Sequence, residues 1–170
     1  EREQQVNMVS YLNVGSAWGV ATGNPKNFDT SNPCGTTVAV QTGTAQETYA
    51  EELSKQCEAD GKGKITVMPH ELQTDIATKI ISGQYDATLA DSTVIGYTAA
   101  GSDGKIEQLG ETFESAPQGI AINKDDAELT EAVQKAMQYL MDNGYLKDIL
   151  AHYGADSATL TTAQLNPSVG

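Results

Sequence analysis

Two short segments carry residue types at spacings that can hold a small ion pair. In Gln41-Thr42-Gly43-Thr44-Ala45-Gln46-Glu47 a β-branched run enters a glycine turn and then a helical pattern. A helix start offers backbone N–H groups with no intrahelical acceptor, together with the positive end of the helix dipole. A carboxylate or phosphate can bind there, with the Thr44 hydroxyl as a further donor. The same residues also spell a capping box, because Glu47 follows Thr44 by three positions. Both readings stand on the sequence alone. A P-loop is excluded, since no Gly-Lys-Ser/Thr follows at the required spacing.

The second segment is Tyr85-Asp86-Ala87-Thr88-Leu89-Ala90-Asp91-Ser92. Asp91 falls at the carboxyl end of a short apolar strand. Its carboxylate can receive an ammonium group, or it can cap the next helix. One segment therefore offers donors for an anion and the other an acceptor for a cation. That combination suits the zwitterion of an α-amino acid.

Both segments need a frame that brings them to one edge. Thr37-Val38-Ala39-Val40, Ile65-Thr66-Val67-Met68 and Ala87-Thr88-Leu89-Ala90 read as short strands. Tyr49, Leu53 and Cys57 mark a helix over 45–59, and Leu72, Ile76 and Ile80 mark a second one ending at Gly83. A third, shorter helix is expected over Asp91 to Ala100, ending at Gly101. This alternation predicts an α/β fold with a mostly parallel sheet, whose ligands sit beyond the carboxyl ends of the strands. The turns after Gln41 and Ala90 lie at that edge. Apolar segments at Val6 to Leu12 and Ala17 to Ala21, and again at Lys105 to Leu109 and Gly119 to Asn123, read as further strands. From Asp126 the chain is helical, with a break at Asn143-Gly144. The polar residues from Ala155 to Gly170 read as a loosely ordered tail.

Composition narrows the partners. The 170 residues carry a net charge of −13, with 39% hydrophobic and 19% charged residues. So acidic a chain repels nucleic acid and anionic membrane surfaces. No apolar run reaches the roughly 20 residues of a spanning helix, and no signal peptide or lipidation motif opens the chain. Glu1-Arg2-Glu3-Gln4-Gln5 reads like the interior of a longer chain. No metal or cofactor motif is present, so none is expected.

Cys34 and Cys57 match no zinc or redox spacing. Cys34 precedes a strand of about six residues, which climbs about 20 Å at roughly 3.3 Å per residue. Cys57 lies near the end of the following helix, which descends about 20 Å over about thirteen residues. The chain thus returns to the height it left, within reach of a disulfide. Two buried free thiols are the alternative. A disulfide would place the protein outside the cytoplasm.

At this point the sequence resembles the amino-acid type (family 3) of extracellular solute-binding proteins of bacterial ABC importers. Gly35-Thr36-Thr37-Val38-Ala39-Val40-Gln41-Thr42-Gly43-Thr44 is similar to that family's Gly-Lys-x-Val-x-Val-x-x-Gly-Thr. Gly83 through Asp91 resembles its Gly-x-x-Asp-Ala-x-x-x-Asp. Glu1 through Val6 resembles its Thr-x-x-Arg segment, and Gly119 through Lys124 its last crossing strand. The resemblance implies a type II periplasmic-binding-protein-like lobe plus C-terminal helices of a truncated first lobe. It divides the chain into a first-lobe remnant (1–16), a second lobe (17–118), a hinge strand with C-terminal helices (119–154) and a tail (155–170).

The resemblance also implies roles. Arg2 would grip the ligand α-carboxylate in a bidentate pair. Thr44 and the N–H groups of Thr44 and Ala45 would clamp the same carboxylate, although Ala45 lacks the hydroxyl many relatives carry there. Asp91 would bind the α-ammonium, while Gln41, Thr42 and Gly43 would line the site. The lobes would close by hinge motion and dock on permease membrane subunits. The implied precursor is an extracytoplasmic protein with a signal peptide, either a lipid-anchored surface protein or periplasmic. The half-lobe that sets side-chain specificity is expected to lie outside this sequence. The chain alone is then expected to bind weakly or not at all and, with apolar helix faces uncovered, to dimerise or swap elements.

Two other function classes remain. A cyclohexadienyl or arogenate dehydratase-like enzyme would need a general acid, for which Glu47 is the nearest candidate. A ligand-sensing module of a receptor would share the same site. His70 and His152 lack metal-spaced partners, and Pro69-His70 reads as a helix start where a surface or capping role is expected. Trp18 is expected to pack between lobes and Tyr97 to lie in the core. No Ser–His–Asp or Cys–His arrangement is found.

Overall fold

The structure, a computed structural model, describes residues 5–168. The chain divides into two compact units. One is Ser16–Phe113, and the other joins the described residues up to Gly15 to those from Glu114 onward.

The Ser16–Phe113 unit is built on a sheet whose strands are β1 (Val6–Ala21), β2 (Thr37–Gln41), β3 (Thr66–His70), β4 (Ala87–Asp91) and β5 (Ile106–Asn123), in the order β3-β2-β4-β1-β5. β2 runs parallel to both β3 and β4, whereas β1 is antiparallel to β4. The sheet is therefore parallel at its centre and mixed overall. Three helices follow their strands: α1 (Ala45–Ala59), α2 (Gln73–Ile81) and α3 (Ser92–Gly101).

Strand alternation sorts the core. Val38 and Val40 of β2 face one side, with Trp18, Phe28, Ala50 and Leu89, where Tyr49 and Leu53 of α1 pack. Ala39 between them faces the other side, with Ile76 and Ile80 of α2 and Tyr85. Because both faces are covered, β2 and β4 read as nearly unbroken apolar runs. The Thr88 hydroxyl, buried within β4, donates to the Ala39 carbonyl at 2.9 Å.

Gly19 sits where β1 crosses β4. A Cβ there would stand 2.9 Å from Ile95 Cδ1 and 3.0 Å from Thr88 Cγ2, both on buried residues. Gly19→Ala is expected to destabilise the fold by about 1–3 kcal/mol through overpacking. Chemical denaturation checks this, and an unchanged midpoint would refute it.

In the second unit, Val9 of β1 and Ile120 and Ile122 of β5 pack against Val133, Met137 and Met141 of α4 (Ala127–Asp142). α5 (Tyr145–His152) contributes Leu150 to a cluster with Leu12, Val14 and Ala158. The tail departs from expectation. Ala155, Ala158 and Ala163 are buried, and the tail lies along the first half of β1. Ser10 N donates to Gln164 O at 2.9 Å, and Asn166 N donates to Met8 O at 2.7 Å. Short polar residues there exchange hydrogen bonds with a strand edge, a non-local partner that local composition does not reveal.

Other expectations also give way. The paired segments at each end of the sheet are the two long strands β1 and β5, not four short ones. Pro69-His70 closes β3 rather than opening a helix. Proline is tolerated because β3 is an edge strand. The His70 ring nitrogen Nε2 lies 2.9 Å from the Tyr85 hydroxyl. Trp18 packs inside the Ser16–Phe113 unit, 5.0 Å from the Phe28 ring. Tyr97 is 60% exposed, since α3 buries only Ser92 and Ile95.

Candidate functional site

The carboxyl ends of β2 and β4 bring the two segments together. After Gln41 the chain turns through Gly43, whose φ of 77° lies in the left-handed region that glycine favours. α1 then starts at Ala45 with Thr44 as its cap. The Thr44 hydroxyl accepts from Glu47 N at 3.2 Å and donates to the Gln41 carbonyl at 2.7 Å. The Glu47 carboxylate reaches back to Gly43 N–H at 2.6 Å. The capping-box reading is thus realised. It engages the N–H groups of Gly43 and Glu47 and leaves those of Thr44, Ala45 and Gln46 ahead of any intrahelical acceptor.

The motif ending at Asp91 contains two aspartates with different work. Asp86 accepts from Thr37 N at 2.7 Å and pairs with Lys26 at 3.5 Å, tying β4 to the start of β2. Asp91 caps α3 only by position, and its side chain makes no capping hydrogen bond. Its Oδ1 instead accepts from Gln46 Nε2 at 2.8 Å. The same amide nitrogen donates to Ser16 Oγ at 3.2 Å, and Ser16 is the residue of β1 opposite Asp91 in the β1–β4 register.

A cavity of about 50 Å³ opens here, lined by Gln41, Thr44, Gln46, Leu89, Ala90, Asp91 and Val94. Small-molecule pockets usually run to about 300–1,000 Å³, so this space admits a head group rather than a whole ligand. A larger groove of about 520 Å³ runs between α2 and α3, past Ala77, Ile81, Val94 and Tyr97. None of its lining residues is charged, so it has nothing to neutralise a zwitterion.

Of the expected site residues, Gln41, Thr44 and Asp91 line one cavity. Gly43 and Ala45 form the adjoining helix start, and Thr42 is held there by its N–H to His70 O at 2.9 Å. Arg2 lies outside the described residues. Gln46 and Ser16 escaped sequence reasoning. Gln46 sits inside the capping motif, where a polar residue on the first helical turn raises no alarm. Cys34 and Cys57 form a disulfide with Cα atoms 5.5 Å apart. Among the described residues no cluster of three or more His, Cys, Asp or Glu side chains could hold a metal, and no helix is long and apolar enough to cross a membrane.

A mixed sheet with helices on both faces and a small cavity at its carboxyl edge is the architecture of a type II periplasmic-binding-protein-like lobe. It is matched by an ancestral cationic amino acid solute-binding protein with a TM-score of 0.70 at 22% identity, over 90% of this chain and 64% of that one. The chain also resembles an amino-acid-binding protein in sequence. It is 38% identical to the arginine-binding protein ArgT of Corynebacterium glutamicum over 167 residues, which is 98% of this chain and 55% of that protein. The chain thus spans about half the length of that relative. An ancestral arginine-binding protein bound to arginine matches with a TM-score of 0.61 at 27% identity, over 89% of this chain and 66% of that one. No family model matches the chain.

Proposed function

We propose that the chain is the amino-acid-binding part of an extracytoplasmic solute-binding protein that delivers its ligand to an ABC permease. The observation that carries this reading is the pairing of the α1 start with the Asp91 carboxylate around one head-group-sized cavity. Helix N–H groups receive the α-carboxylate, and Asp91 receives the α-ammonium. L-arginine is the first ligand to test, because two relatives are arginine-binding proteins by name. The disulfide supports a compartment outside the cytoplasm.

Binding without catalysis is part of the same reading. Glu47, the acid a dehydratase would need, is engaged with Gly43 N–H as a capping acceptor. Self-association is supported by the exposure of Tyr139, Tyr145 and Ile149 on α4 and α5.

Titration calorimetry of the whole protein with a panel of L-amino acids tests the proposal. A cationic amino acid is expected to bind more tightly than its uncharged counterparts, and D-arginine more weakly than L-arginine. A panel in which no amino acid gives heat beyond dilution would overturn it.

A further inference from the structure

Asp91 occupies the cap position of α3, where aspartate normally folds back onto the second or third N–H of the helix. It does not do so here. The group that holds its carboxylate is the side chain of Gln46, which projects from the first turn of α1 and is 8% exposed. The amide orientation follows from chemistry. An ionised carboxylate only accepts, so the nitrogen of Gln46 must face Oδ1. Both protons of that nitrogen are engaged, one on Asp91 Oδ1 at 2.8 Å and one on Ser16 Oγ at 3.2 Å. Gln46 is thereby fixed at its far end to β1 while it grips β4. Oδ2 of Asp91 has no hydrogen-bond partner among the described residues, and Asp91 and Gln46 both line the cavity.

We propose that Gln46 is the positioning residue for Asp91: anchored on Ser16, it draws Oδ1 away from the α3 start and leaves Oδ2 as the acceptor for a ligand ammonium. A carboxylate free to rotate would cap α3 and face the ligand only part of the time. Gln46 removes that competition before the ligand arrives, the usual gain from preorganisation. Its place on α1 has a second consequence. α1 also supplies the N–H groups for the carboxylate, so one helix sets both ends of the zwitterion. The inference rests on the amino-acid reading above.

The test uses the isosteric variant Gln46→Met, which keeps the bulk and loses the donor. Two probes separate its effects: L-arginine and 5-guanidinopentanoate, the same molecule without the α-amino group. Gln46→Met is expected to weaken L-arginine by about tenfold to a hundredfold and the des-amino probe by less than about twofold. Equal losses for both probes would assign Gln46 a merely structural role. A second readout needs no ligand. The side-chain amide protons of Gln46 should exchange slowly in the unmodified chain, and in Asp91→Ala should move toward those of the exposed Gln56. Amide resonances indifferent to Asp91→Ala would overturn the inference. So would resonances that become solvent-like when L-arginine binds, which would make Gln46 a displaceable stand-in for the ligand. An unmodified whole protein that binds neither probe overturns the amino-acid reading instead, an outcome distinct from all of these.

Discussion

Asp91→Ala is expected to weaken L-arginine binding by about a hundredfold or more and to lower the thermal midpoint by no more than about 4 °C. The two effects separate because the carboxylate is held by Gln46 and makes no capping hydrogen bond to α3. Truncating an ordinary Asp cap costs about 0.5–2 kcal/mol of stability; here that term is absent. What folding loses is one hydrogen bond to an ionised carboxylate, worth about 1.5–3 kcal/mol, largely offset because a half-buried charge no longer has to be desolvated. What binding loses is the anionic partner of an ammonium inside a head-group-sized cavity. Leaving such an ammonium unpaired costs about 2–5 kcal/mol. Calorimetric titration reads the first effect and a melting curve the second. Affinity within threefold of the unmodified chain would remove Asp91 from the site. A collapse in the midpoint would make its role structural.

Much of this site was legible because its elements are local. α1 is bounded by a capping box and β2 by a β-branched run, and both reduce to spacings within a few residues. Asp91 was legible as a strand-end acid, yet its choice between cap and ligand was not. That choice depends on Gln46, 45 residues away, and on Ser16, 75 residues from Asp91. Neither distance leaves a periodicity to read.

The same reason explains the misread strands. Gly15 in β1 and Gly110 in β5 look like punctuation within a window of ten residues. Gly19, inside an expected strand, is required by the approach of Ile95 and Thr88. A left-handed residue that is not glycine also sits within β5, Glu114 with a φ of 51°. The tail reads as loose in sequence because its partners, Met8 to Leu12, are more than 140 residues away.

Reducing the Cys34–Cys57 disulfide is expected to lower the thermal midpoint by roughly 6–12 °C and to leave L-arginine affinity within about twofold. The two cysteines are 23 residues apart, and freeing a loop of that size returns about 3 kcal/mol of chain entropy to the unfolded state. Cys57 is buried in the core beside Ala50 and Val38, so its thiol keeps its packing and the loss is confined to the cross-link. Affinity is spared by placement. The disulfide ties the approach to β2 to the last turn of α1, whereas the cavity opens at the opposite end of β2. Five residues separate Thr37 from Gln41 inclusive, about 16 Å at roughly 3.3 Å per residue. Melting curves and titrations with and without reductant, with a free-thiol count to establish reduction, measure both effects on the same sample. Lost affinity at an unchanged midpoint would mean that the disulfide acts on the α1 start rather than on the unfolded chain. That would contradict the separation of stability and binding to opposite ends of one strand.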